Sequence, residues 1–304
     1  MLNVLPTSGF RLEQGVYHSL IKILHDWVVN TLGPFFSVSR KNTALSVASA
    51  QFSSRSSSAG DPRFGFYLGP LQTYHHGVSG DVYAVDSRTL HIRNLNYDGQ
   101  GPAAYFWVGR GSRVGQDGYQ VPDEKGSLGN LRGYRGDSVT ITLPEGKTLD
   151  GLSYFSVYCE EYDVNFGDVF FRGDIDYPKP KKIDALRTYD HDVKSDRVVV
   201  VDAQTFLIPN FSYDGQAPDA FFWVGKGRPS PQGTRVPDEN GGVAPLKAYR
   251  GKTIVITLPD DITVYDIDYL SVWCEEYSVN FADLAIPKNL NVPPSLRMLG
   301  VAPQ

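Results

Sequence analysis

Short stretches in which apolar and polar residues alternate recur along the chain. Examples are Ser-Val-Thr-Ile-Thr-Leu from Ser138 and Thr-Ile-Val-Ile-Thr-Leu from Thr253, with β-branched and aromatic runs at Arg197 to Val201 and Tyr105 to Val108. A period of two places alternate side chains on opposite faces of a strand, so these segments predict β-strands with one face in a core. Turn chemistry separates them: Asp98-Gly99, Asp214-Gly215, Asn240-Gly241, and Leu-Pro followed by acidic residues at Leu143 and Leu258. Around Tyr17, Leu20, Ile21, Leu24, Trp27 and Val28 the spacing turns helical instead, predicting one short amphipathic helix that ends near Gly33-Pro34.

The strand pattern occurs twice. Val85 to Val108 matches Val201 to Val224 at 14 of 24 positions. The register continues through Val-Pro-Asp-Glu at Val121 and Val236, Tyr-Arg-Gly at Tyr134 and Tyr249, Ile-Thr-Leu-Pro at Ile141 and Ile256, and Cys-Glu-Glu-Tyr at Cys159 and Cys274. Repeats of about 20–50 residues build solenoids or propellers, whereas one longer than 100 duplicates whole domains. About seven or more strands in roughly 100 residues fit an antiparallel β-sandwich or a small barrel. The predicted fold class is therefore all-β, two homologous domains in tandem. The boundaries expected are an unmatched segment over 1–71, a first domain over 72–172, a linker over 173–187, a second domain over 188–290 and a tail over 291–304. The serine-rich stretch from Ser53 to Gly60 reads as a disordered linker ahead of the first domain.

Composition narrows the function. Thirty glycines, 20 prolines and 34 Phe or Tyr residues against two methionines favour turns and strands. No window approaches the roughly 20 apolar residues of a spanning helix, so no membrane span is expected. A net charge of −5 without a Lys/Arg block lacks the footprint of a nucleic-acid binder, so no direct nucleic-acid binding is expected. Arg40, Lys41 and Asn42 interrupt the apolar run that a signal peptide would need before Ala48-Ser49-Ala50, so none is expected.

No Ser/His/Asp set, Cys-x-x-Cys pair or phosphate loop is present, which favours a non-enzymatic protein. None of the six histidines is read at equivalent positions: His91 aligns with Leu207, while His75, His76 and His191 lie near domain edges. That reading excludes a duplicated histidine metal site, and no metal ligands are assigned. Each repeat does hold one cysteine, Cys159 or Cys274, on an apolar strand face with Phe155 and Val157 or with Leu270 and Val272. Three readings stay open: buried packing residues, a disulfide between the domains, or candidate redox thiols that could ligate a cofactor. The neighbouring Glu160, Glu161, Glu275 and Glu276 would raise a thiol pKa rather than activate it. A second shared motif places Asp98 and Trp107, and Asp214 and Trp223, as a candidate ligand or carbohydrate surface, with core tryptophans as the plainer alternative. Acidic pairs at Asp123-Glu124 and Asp238-Glu239 read as solvated turns, and Asn210-Phe-Ser212 is an N-glycosylation pattern that the first repeat lacks.

The segments from Tyr97 and Tyr213 (YDGQGPAAYFWVG and YDGQAPDAFFWVG), the single cysteine per repeat, and the tail Asn-Val-Pro-Pro-Ser-Leu-Arg-Met-Leu-Gly from Asn291 closely resemble tandem proteins of the DM-thirteen domain family. The resemblance covers about three quarters of the chain, from Tyr74. It implies a β-rich module whose cysteine, matched by Cys159 and Cys274, serves redox or electron-transfer chemistry, with haem or another prosthetic group as the cofactor proposed for the family. It also implies spindle or cuticle matrix components as partners, a carbohydrate polymer among them, and hence either a nuclear spindle or an extracellular matrix location. Longer family members continue into a DOMON domain, so a haem partner is not expected within the chain as it stands.

Overall fold

A computed structural model of the chain describes residues 60–171 and 174–301. The expected helix over Tyr17 to Val28 and the serine-rich stretch lie outside the described residues. Both domains fall within one compact unit, Ser56–Gln304.

Each domain contains nine strands. The first is built from β1 (Phe66–Pro70), β2 (Gln72–Thr73), β3 (Ser79–Ala84), β4 (Thr89–Tyr97), β5 (Ala104–Gly109), β6 (Tyr119–Val121), β7 (Tyr134–Thr142), β8 (Tyr154–Cys159) and β9 (Val164–Phe170). The second repeats them as β10 (Lys181–Lys182), β11 (Arg187–Thr188), β12 (Val199–Val200), β13 (Thr205–Tyr213), β14 (Ala220–Gly225), β15 (Thr234–Val236), β16 (Tyr249–Thr257), β17 (Tyr269–Cys274) and β18 (Val279–Ala285). In the first domain a sheet of order β1-β3-β4-β7 faces one of order β2-β9-β8-β5-β6; in the second the orders are β10-β12-β13-β16 and β11-β18-β17-β14-β15. Every pairing is antiparallel. The two separate sheets, with residues of both in one core, decide for a sandwich over a barrel.

The first sandwich starts at Phe66, ahead of residue 72, and the 173–187 stretch supplies β10 and the start of β11. Two-residue strands carry no periodicity, so these edges leave no trace in the hydrophobic pattern. The 291–304 tail is likewise structured where described. Val292 and Leu299 are buried, and Ala203 N–H donates to Pro293 O at 2.8 Å. Ser295 Oγ donates to Gln204 Oε1 at 2.7 Å, and Thr140 Oγ1 of the first domain donates to Leu299 O at 3.2 Å. The segment thus runs from the second domain back onto the first.

One irregularity shapes the cysteine-bearing end of each sandwich. The pairing of β4 with β7 slips between Ile92 and Leu95, and that of β13 with β16 slips between Ile208 and Phe211. At the slip Asn94 and Asn210 each adopt φ of 52°, the left-handed region that asparagine tolerates better than most residues. The extra residue shifts the phase of alternation. Leu90 and Ile92 face the core before it, Leu95 and Tyr97 after it, and the second domain repeats this with Phe206, Ile208, Phe211 and Tyr213. Tyr97 and Tyr213 are thereby turned inward at the strand ends.

Candidate functional site

The inward tyrosines share their cores with the cysteines. Cys159 closes β8 opposite Ala104, and Cys274 closes β17 opposite Ala220; both thiols are free and lie in the cores, 1% and 0% exposed. Alternation sends Phe155, Val157 and Cys159 into the first core and Leu270, Val272 and Cys274 into the second, while Glu160 is exposed. Burial pushes the Tyr97 phenol above its ordinary pKa. Its hydrogen bond from Gly101 N–H, at 2.8 Å, opposes that rise, and the nearby Asp98 and Cys159 add to it. Tyr213 repeats the balance with Ala217 N–H at 3.2 Å, Asp214 and Cys274.

Outside each tyrosine sits an aromatic stack that ends in a histidine. Phe166 stacks on Tyr97 at 6.2 Å between ring centroids and His76 lies 4.2 Å from Phe166; in the second domain Phe281 is 6.4 Å from Tyr213 and 4.2 Å from His191. His76 Nδ1 is 3.0 Å from the Asp98 carboxylate, and His191 Nδ1 is 3.0 Å from that of Asp214. This corrects the sequence reading of the histidines, because His76 and His191 are equivalent. Val78 aligns with Val193 but Ala84 with Val200, so the second domain carries one more residue between them, and a register extended backward from Val85 misses the pair. The aspartates also accept from the backbone N–H groups of Gln100 at 2.8 Å and Gln216 at 2.9 Å, which folds each Asp-Gly turn. No group of three or more His, Cys, Asp or Glu side chains suited to a metal ion occurs among the described residues.

The tryptophans stand elsewhere. Trp107 and Trp223 point away from the core onto the outer face of the five-stranded sheets, yet are only 5% and 3% exposed. A loop folds over each, the indole N–H donating to Gly115 O at 3.0 Å and to Ser230 O at 2.9 Å. Gly118 and Gly233 touch the indole so closely that a Cβ would overlap it. The structure therefore does not bring Asp98 together with Trp107, or Asp214 with Trp223, into one ligand surface. The acidic pairs are also more than solvated turns. Glu124 and Glu239 accept from the Tyr134 and Tyr249 hydroxyls at 2.8 Å, and Lys252 and Tyr249 hold the Glu239 carboxyl below its usual pKa against the opposing effect of burial.

A family model described as electron transfer DM13 matches residues 70–171 and again 185–286, the two sandwiches. The chain belongs to the DM13 family. Over 246 residues it is 56% identical to Protein Skeletor, isoforms B/C, of Drosophila melanogaster, a match covering 80% of this chain and 31% of that protein. Protein Skeletor, isoforms D/E, of the same organism is 56% identical over 246 residues, 80% of this chain and 16% of that protein. The chain spans less than a third of the length of these curated relatives. No solved structure matches it.

The surroundings of the DM13 cysteine do not fit a haem-sized prosthetic group. A Cβ at Gly101 alone would overlap Phe166, the Tyr97 hydroxyl and Ala104, the residue paired with Cys159. In the second DM13 domain Ala217 stands at the position of Gly101, and its methyl group is packed into the core with Tyr213, Ala220 and Phe281. Neither thiol belongs to a group of three or more metal-ligating side chains among the described residues.

Proposed function

We propose that this DM13 pair is a non-enzymatic, matrix-organising module of the Skeletor kind, acting in a spindle or cuticle assembly, with its cysteines as packing residues. The burial of both thiols in close-packed cores carries the reading, because reactivity requires thiolate exposure. The returning segment from Asn291 supports it by tying both sandwiches into one unit. Alkylation of the full chain, counted by mass, tests it. The expected result is no label on native protein and two labels after denaturation without reductant; two labels on native protein overturn it.

A second reading, an electron-transfer module, draws on the family description and on the tyrosine that shares the core with the cysteine in both domains. Replacing both cysteines separates the two. C159A/C274A keeps association with the assembly if the thiols only pack, and loses it with the fold intact if they carry the activity.

A further inference from the structure

The end of each sandwich that buries the thiol also presents an outward surface. In the second domain Asp190, His191, Gln216, Pro218, Tyr277 and Phe281 line an open cleft of about 320 Å³. Tyr277, in the turn between β17 and β18, is 64% exposed. Its counterpart Tyr162 is also 64% exposed, and His76, Gln100, Pro102 and Phe166 occupy the other equivalent positions, with His75 in place of Asp190. A bare tyrosine kept in both copies, beside a retained amide and a retained histidine–carboxylate pair, is a repeated surface rather than an isolated exposed ring.

The chemistry of the lining selects a class of ligand. No lysine or arginine lines the cleft, His191 is already engaged by Asp214, and Asp190 is among the lining residues, so a polyanion would meet negative charge. Among the lining residues Tyr277 and Pro218 are apolar and suit the C–H face of a sugar ring, while the Asp190 carboxylate and the Gln216 amide can bond hydroxyl groups.

We propose that this cleft binds a neutral glycan chain, a pyranose ring stacking on Tyr277 with its hydroxyls bonded to Asp190 and Gln216, and that Tyr162 provides a weaker second contact lacking the carboxylate. The inference deepens the matrix reading by giving its polymer a chemistry, and two contacts on one chain would add avidity on a long polymer.

The test is calorimetric titration of the full chain with a β-1,4-linked N-acetylglucosamine hexamer and a β-1,4-linked glucose hexamer, with a heparin hexasaccharide as the anionic control. Binding of at least one neutral hexamer and not of heparin is expected. Y277A should weaken it by about tenfold, as loss of a stacking contact does, while Y277F, which keeps the ring, binds as the parent. Y162A should weaken it less. Neither tyrosine is buried, so both variants should keep the parental melting temperature, and the phenylalanine variant guards against a folding artefact. Absence of binding to both neutral hexamers, preference for heparin, or undiminished binding by Y277A overturns the proposal. Such a failure leaves the thiol-labelling result standing, so the matrix reading and the glycan cleft can fall separately.

Discussion

The outer faces of the two four-stranded sheets share a register and differ in chemistry. In the first domain Tyr83, His91 and Thr140 stand side by side across β3, β4 and β7; in the second Val199, Leu207 and Val255 hold the same places across β12, β13 and β16. Phe64 stacks on His91 with centroids 5.6 Å apart and the rings 7° from parallel, and Arg93 lies over Phe64 at 3.8 Å. Thr140 Oγ1 accepts from His91 Nδ1 at 2.8 Å and donates to Leu299 O, which fixes the tautomer and leaves Nε2 buried without a partner. Val255, at Thr140's place, is 37% exposed. The same β framework therefore carries a polar row in one domain and an apolar row in the other, of which Val199 and Leu207 are buried and Val255 reaches water. Burial, with help from the Arg93 charge, lowers the His91 pKa to about 4.

The largest effect should test what the domains have in common. Phe166→Ala and Phe281→Ala each remove the ring between the inward tyrosine and the histidine, and each should cost about 3–5 kcal/mol. Domain-resolved hydrogen exchange would show whether the losses match; a clear inequality would break the equivalence of the two sites. Next comes the contrast at His91. Its native pKa lies below the unfolded value of about 6.5, so the unfolded chain takes up a proton that the native state refuses between about pH 6.5 and 4. The stabilisation is complete above that window and declines as pH falls through it, by roughly 3 kcal/mol in all. Urea titrations at pH 7 and pH 4.5 should show this loss in the parent and much less of it in H91L, which copies the second domain. The smallest effect should come from Ser295→Ala, which leaves Gln204 Oε1 with one partner fewer inside the protein and should cost about 1–2 kcal/mol, read as a lower urea midpoint for the second domain.

Much of this was legible in the sequence because strand periodicity and duplication are local signals. The inward thiols followed from alternation with Phe155 and Val157, and the two all-β domains from the repeat itself. The histidine–aspartate pairs were not legible, because a single extra residue near Lys194 displaces His191 from the register that aligns Asp98 with Asp214. Nor was the covering of Trp107 and Trp223, since whether a loop folds over an indole depends on a glycine contact eight or more residues away. The edge strands β2, β10 and β11 were hidden for a different reason: their pairing is set by the neighbouring strand and not by their own side chains.

The returning segment from Asn291 also sets an order of events during synthesis. Every strand of the first domain is made by residue 170, yet the backbone oxygen that Thr140 engages belongs to Leu299. A ribosome adding about 5–20 residues per second takes several seconds more to reach it. During that interval the first sandwich lacks the acceptor for Thr140, and synthesis of the residues around Leu299 supplies it.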